Sequence, residues 1–555
     1  MNIRTTLAAG AAAVALSACG PDDRAPPPEP ADVRDRAIQS VTGAEIRRHM
    51  IELASDEMQG REAGTEFYER AADYVVAQYR AIGLEPAGDG GTYLQEIEFF
   101  ETRLVPESAR MSISNGSVSE VLAFRDDFIR SGGYGAADEE ITAPLLFAGH
   151  GIVAPELRHD DFAGVDARGK ILVVLSGAPP GFDTDRRAFY SSSRGKAAVA
   201  VERGAVGMIV VRTPVDQARR PWARYLPGIG SPGMRWVDAV GNPYQGFAEL
   251  QGSAAVSEAG AGKIFALAGH DLDAIFTKHA DGRTGSFDMG ISATLARSSI
   301  QRRVTSANVL GVLPGSDTAL RDEYLVYTGH LDHIGLRPGK DGDDIHNGAY
   351  DNAAGIGSIL EIAQAMAGMA VGPRRSVIFA AVTAEEKGLQ GSSYFARNPT
   401  VPVESLVANI NIDMPYLGFP VNDVHAFGAE HSTLHAPADE ATRLLGMALT
   451  PDPKPEEVRF IRSDQFSFVK EGIPAIAFKA GMQSSDPAID GEAALDDFLK
   501  NHYHQASDDL DLPYSSEGAE RFARAGLVMG LIVADDDERP RWVENDFFGD
   551  KFSKN

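Results

Sequence analysis

Short, nearly continuous apolar runs recur through the second half of the chain, at 324–328, 376–382, 407–412 and 475–478. Runs of this length with little alternation predict strands buried on both faces. Between them, apolar residues return at helical spacing over 357–369, 389–397 and 518–533, which predicts helices. Strand and helix therefore alternate. That alternation predicts an α/β fold, a mixed and largely parallel sheet with helices on both faces.

Nearer the N-terminus the pattern reads helix, loop, helix, strand. An amphipathic stretch at 46–53 leads into a loop rich in turn residues, then a helix from Glu66 to about Ile82. Thr65 is placed to cap its start and Gly83 to end it. A strand is expected at 93–100. Between 117 and 298 the character changes to short β-rich runs, at 145–148, 152–154, 170–175 and 206–212, with one helix at 191–203. Because the βα alternation resumes after Arg303, this β-rich stretch is expected to interrupt the α/β domain. The expected division is 37–116 and 299–540 for the two parts of that domain, 117–298 for the insertion and 541–555 for a C-terminal tail.

The apolar runs end where metal-ligand residue types begin. His330, Asp332 and His333 follow the first run, Glu385 and Glu386 the second, and Asp413 the third. Asp351 lies in the turn-prone loop Tyr350-Asp351-Asn352-Ala353-Ala354-Gly355, and His502 and His504 lie in a late segment. In open α/β sheets, residues just beyond the carboxyl ends of strands gather into one site. Mixed imidazole and carboxylate donors suit a pair of divalent ions, zinc first, with manganese or cobalt as substitutes. Two such ions about 3.5–4 Å apart can hold a hydroxide between them and polarise a carbonyl. Asp351 suits the bridging role. Glu385 and Glu386 end an extended segment, so their side chains point apart. One can hold metal while the other serves as general base and then general acid. Two choices stay open at this level: His333 contends with His330, and His502 with His504.

Absences narrow the chemistry. There is no His-Glu-x-x-His helix and no Gly-x-Ser-x-Gly elbow. Asp341, Asp343 and Asp344 miss the spacing of a helix–loop–helix calcium site. The 52 basic and 79 acidic residues give a net charge of −27, which argues against nucleic acid or an anionic membrane surface held by charge. At 555 residues, the chain is too long for one ordinary domain.

The single cysteine, Cys19, sits in an informative place. Arg4 precedes an Ala-rich apolar run from Leu7 to Ala18, which is too short to span a bilayer and predicts a signal peptide over 1–18. The box Leu16-Ser17-Ala18-Cys19 resembles a bacterial lipoprotein signal, in which cleavage precedes the cysteine and the cysteine is lipidated. Gly20 after it resembles sorting to an outer membrane. The chain is thus expected to be exported and lipid-anchored in the bacterial cell envelope, facing the periplasm, with the membrane touched through the lipid alone. The Pro-rich stretch at 19–36 predicts an extended tether.

Taken together, the clusters at 328–333, 347–355, 382–388 and 409–414 resemble the M28 family of zinc peptidases. So do the Gly60-Arg61…Gly64-Thr65 loop, the Ser463-Asp464…Gly472-Ile473-Pro474 segment and the run Tyr503-His504-Gln505-Ala506-Ser507-Asp508. The Phe162–Lys170 and 197–211 stretches resemble a protease-associated domain, so the fold implied is a zinc-exopeptidase domain interrupted by that insertion. The resemblance implies two zinc ions, with His330 and Asp413 on one, Glu386 and His504 on the other, and Asp351 bridging. It implies Glu385 as general base, Asp332 orienting the His330 imidazole, Asp508 doing the same for His504, and a cis peptide at Asp351-Asn352. The implied activity is that of an aminopeptidase acting on peptides by attack of a metal-bridging hydroxide. A carboxypeptidase of the glutamate carboxypeptidase type is the alternative, with Arg459 and Arg462 as candidate cations for a substrate carboxylate. A glutaminyl cyclase and a non-catalytic binding protein on the same scaffold are weaker alternatives. The sequence leaves oligomeric state unread.

Overall fold

The computed structural model describes residues 30–337 and 342–554. The signal, Cys19, Asp341 and most of the tether lie outside the described residues. The described end of the tether is not extended: a helix occupies Pro30–Ser40, opening on a proline whose fixed φ suits a first helical position.

Helix α1 (Gly43–Leu53) and helix α2 (Glu66–Ile82) follow. The Thr65 hydroxyl accepts the Tyr68 amide at 3.4 Å, and Gly83 ends α2 at φ 89°. Both caps stand where the sequence placed them. Strand β1 (Leu94–Leu104) then runs antiparallel to β2 (Ser286–Leu313). The centre of the sheet is β3 (Tyr324–His330), β4 (Ser376–Val382), β5 (Leu406–Asn411) and β7 (Ala475–Ala480), with β6 (Asp423–Phe427) on the outer side of β7. Strands β4, β3, β5 and β7 lie side by side and parallel, in that order. Strand β2 adds antiparallel to β4, and β6 adds antiparallel to β7. The sheet is therefore mixed with a parallel centre.

Alternation explains why both faces are covered. On β4, Val377, Phe379 and Ala381 enter one apolar cluster, and Ile378, Ala380 and Val382 enter another on the opposite face. The first face packs against α1, α2, helix α3 (Ala354–Ala367) and helix α4 (Ser516–Asp535). The second packs against the short helices Gln390–Arg397 and Gln465–Val469. Central strands buried on both sides read as continuous apolar runs, which is why they were legible.

One strand joins two sheets. The first half of β2 pairs with Arg110–Ser114 and Asp138–Ala148, and the rest with β1 and β4. No break falls at 298; the chain runs straight from the inserted sheet into the main one. Arg110–Ser114 also joins the inserted sheet although it lies before residue 117. That sheet includes parallel strands at Ile171–Leu175, Gly207–Val211 and Ala254–Val256. Helices Ser193–Glu202 and Glu258–Leu267 cover it on opposite sides. The tail folds back onto the globule through the helix Phe547–Phe552, where Phe548 is fully buried.

Candidate metal centre

Three parallel strands end at the same edge of the sheet, and their loops carry the donors. His330 is the last residue of β3, Glu385 and Glu386 follow β4, and Asp413 follows β5. Asp351 lies in the Ala349–Ala353 turn that opens α3, where the Asp351–Asn352 peptide is cis, as the resemblance implied. Ala384 takes φ 54°, turning the chain sharply before the glutamate pair.

The donors form two groups that share Asp351. In the first, His330 Nε2 lies 3.1 Å from Asp351 Oδ1 and 3.2 Å from Asp413 Oδ1. In the second, His333 Nδ1 lies 3.0 Å from Glu386 Oε1 and 3.9 Å from Asp351 Oδ2. His504 Nε2 reaches the same carboxylates, 3.2 Å from Asp351 Oδ2 and 3.3 Å from Glu386 Oε2. His502 turns away to Ser507, with Nδ1 2.9 Å from its hydroxyl. The geometry thus separates the two open choices: His504 faces the centre rather than His502. His333 crowds the Glu386 side beside His504, not the His330 side.

Two supporting roles differ from expectation. The His330 imidazole is held by the main-chain oxygen of Asp332, 3.0 Å from Nδ1, so Nε2 is left to face Asp351 and Asp413. The Asp332 carboxylate instead accepts the amides of Glu385 at 3.0 Å and Glu386 at 3.3 Å. Asp508 does not orient His504; its two oxygens accept the amides of Tyr350 at 2.9 Å and Asp351 at 3.1 Å. In both cases a carboxylate beside orphan amides at a tight turn is worth more there than beside a ring that already has partners.

Other residues at the centre carried no assigned role in the sequence. Asn352 donates to the Ile412 oxygen at 3.0 Å and accepts the Met414 amide at 2.9 Å, which ties the Asp351 turn to the Asp413 loop. Asp413 Oδ2 accepts from Ser463 at 2.5 Å and from Lys479 at 3.4 Å. Asp464 is fully buried.

Burial works against charge throughout. It pushes Asp332 and Asp508 up to about 7 and Asp464 to about 6. Glu385 is pushed well above the usual carboxylate range, first by burial and then, against the pull of His330, by the neighbouring carboxylates. Asp351 resists burial and stays well below its ordinary value through bonds from His330 and His504. Asp413 is likewise held down to about 2, by Lys479 and His330 against burial. His504 is raised to about 10 by Glu386 and Asp351, again against burial.

Each of the two groups has the donor types that could hold a metal ion. His333 Nε2 is buried without a hydrogen-bond partner, and Nδ1 faces Glu386 Oε1 at 3.0 Å with no other hydrogen-bond partner for either atom. Such atoms are rarely left unpaired, and a nitrogen facing a carboxylate oxygen is a donor set that zinc accepts.

Residues 308–528 match the model of Peptidase family M28. A mouse (Mus musculus) protein named "Aminopeptidase NAALADL1" is 33% identical over 135 residues, 23% of this chain and 16% of that protein. A Pyrenophora teres f. teres (strain 0-1) protein named "Probable zinc metalloprotease" is 32% identical over 111 residues, 20% of this chain and 23% of that protein. The matches therefore take in under a quarter of either relative's length. Among solved structures, an aminopeptidase from Aneurinibacillus sp. strain AM-1 shares the fold. Its TM-score is 0.54 at 18% identity, over 90% of this chain and 96% of that one.

Proposed function

From a chain that carries a Peptidase family M28 domain at residues 308–528, we propose a di-zinc exopeptidase, an aminopeptidase that removes N-terminal residues from peptides. The observation that carries the reading is the pair of donor groups sharing Asp351, with Glu385 directly before Glu386 and its amide held by Asp332. His330, Asp351 and Asp413 would hold one zinc. Asp351, Glu386 and His504, with His333 beside them, would hold the other. Bound there, zinc supplies Lewis-acid polarisation of the scissile carbonyl and lowers the pKa of a water.

The chain's own part is proton transfer and alignment. Glu385 takes a proton from the attacking water and delivers it to the leaving amine. Asp332 fixes the amides of Glu385 and Glu386, so the base and its ligand neighbour keep a set relation. Arg459, one candidate cation of the carboxypeptidase alternative, pairs with Glu457 at 2.8 Å.

The test uses protein lacking the residues before Cys19, loaded with zinc, and matched peptide pools with free or acetylated N-termini. Stepwise loss from free N-termini alone is expected by mass spectrometry. Loss from the C-terminus in both pools, or no cleavage with two zinc ions bound, would overturn the proposal. We also propose that the chain is lipid-anchored through Cys19 and faces the periplasm. Labelled fatty acid should enter the wild type and not Cys19→Ser.

A further inference from the structure

Arg61 is among the largest fully buried side chains, 1% exposed, and it spends its donors entirely on main-chain oxygens. Nε donates to Leu331 O at 2.9 Å, Nη1 to Asn347 O at 2.6 Å and to Leu53 O, and Nη2 to Gly348 O at 3.0 Å. Leu331 directly follows His330, and Gly348 stands in the turn that leads to Asp351. The rest of the Arg61 turn presses into the same gap. The Arg61 oxygen accepts the His333 amide at 3.3 Å. Gly60 takes φ +69°, and a Cβ there would sit 2.3 Å from His346 O, so only glycine lets the two loops close. The next residue, Glu62, accepts from Lys387 at 2.7 Å, the residue after Glu386. One turn remote in sequence therefore touches all three loops that carry Asp351, His330 and Glu386.

We propose that Arg61 is a positioning residue of the metal centre: its guanidinium ties the His330–His333 segment to the Asn347–Asp351 turn and so sets the separation of the ligands on either side. The fork geometry is what the role needs. A planar group with five N–H donors can bridge several carbonyls at once, whereas lysine presents one compact charge. Burial pulls the guanidinium down to about 10, with Asp508, Asp332, Asp351 and Glu386 acting the other way, so it stays charged at neutral pH.

This inference rests on the zinc reading above. The test measures zinc affinity of the metal-free full chain by chelator competition, and the visible spectrum of the cobalt(II)-substituted protein. Wild type, Arg61→Lys and Arg61→Gly are compared, with thermal melting as a fold control. Both variants are expected to lose about 10–100-fold in zinc affinity and to show a changed cobalt spectrum. At saturating zinc, kcat should fall more than KM changes. Millimolar guanidinium should restore part of the affinity in Arg61→Gly and none in Arg61→Lys. Should Arg61→Gly not fold, Arg61→Lys decides alone. Zinc affinity within twofold of wild type, with an unchanged cobalt spectrum, overturns the inference. A wild type that binds no zinc would instead remove the reading beneath it.

Discussion

The main-chain amide of Asp351 donates to the Asp508 carboxylate at 3.1 Å, and Asp508 stands four residues after His504. The loop that delivers one donor thus holds the turn that delivers the shared one. Asp508→Ala would leave two buried amides unpaired, at about 1–3 kcal/mol each. It is expected to lower melting temperature and to weaken zinc binding about 10–100-fold. Asp508→Asn keeps one acceptor oxygen and should fall between. Zinc titration and thermal melting on all three proteins check the order; equal zinc affinity across them would detach Asp508 from the centre.

Glu385→Gln keeps the shape of the proposed base and removes its proton affinity. Zinc content should stay at the wild-type value while kcat falls by about 100–10,000-fold, the usual worth of general acid–base catalysis. Metal analysis beside steady-state kinetics measures both. Normal turnover in the variant would take Glu385 out of the mechanism.

His333 is fully buried, its Nδ1 lies 3.0 Å from Glu386 Oε1, and its Nε2 lacks a hydrogen-bond partner. Its place on the Glu386 side predicts that His333→Ala weakens one of two zinc-binding steps and spares the other. His504→Ala should affect that same step, because both rings meet Glu386. Calorimetric titration resolves the steps. Loss of both steps in His333→Ala, or of neither, would refute the assignment.

The helix Ser193–Glu202 of the insertion reaches the loop that carries Glu385 and Glu386 through Arg194. Its Nη1 donates to the Gly388 oxygen at 2.8 Å, two residues after Glu386. Gly388 takes φ +94°, and a side chain there would meet the guanidinium. Arg194→Ala removes a half-buried charged donor, worth about 1.5–3 kcal/mol, and is expected to cut kcat/KM about tenfold with zinc saturating. Unchanged kinetics would show that the insertion does not brace the loop.

The centre of the sheet was legible because a strand buried on both faces leaves an unbroken apolar run, and His330, Glu386 and Asp413 stand at the ends of three such runs. Strand β2 was not. Its exposed stretch carries Gln301, Arg302 and Arg303, and the Arg302 pairing with Glu101 at 2.7 Å exists only once β1 lies beside it. The roles of Asp332, Asp508 and Arg61 were hidden for a related reason. Each binds main-chain amides or oxygens, which every residue possesses, so no side-chain pattern marks the partner. The helix Gly491–Asn501 was missed although Ala494, Leu495, Phe498 and Leu499 stand at helical spacing and pack on the main core.

The tail offers a pH test away from the metal centre. His431 Nδ1 lies 2.7 Å from Asp546 Oδ2, with both side chains largely buried. Asp546 also caps the helix Phe547–Phe552, accepting the Gly549 amide at 2.8 Å. That helix joins two regions: Phe548 stacks edge-on against His431 and Phe460, and Phe547 against Phe189 of the insertion. Burial lowers the proton affinity of His431, but Asp546, Glu430 and Asp185 outweigh it, so the folded value is raised. A raised value means that the stabilisation is fully present below the unfolded value of about 6.5 and is lost as pH rises through the folded value. The charged bond is worth about 1.5–3 kcal/mol. Hydrogen exchange in residues 541–554 of the zinc-loaded protein should therefore quicken from mildly acidic to mildly alkaline pH, after correction for the intrinsic rate. His431→Gln should exchange fast at both ends and show no such step. A step of equal size in His431→Gln would assign the pH dependence to another group.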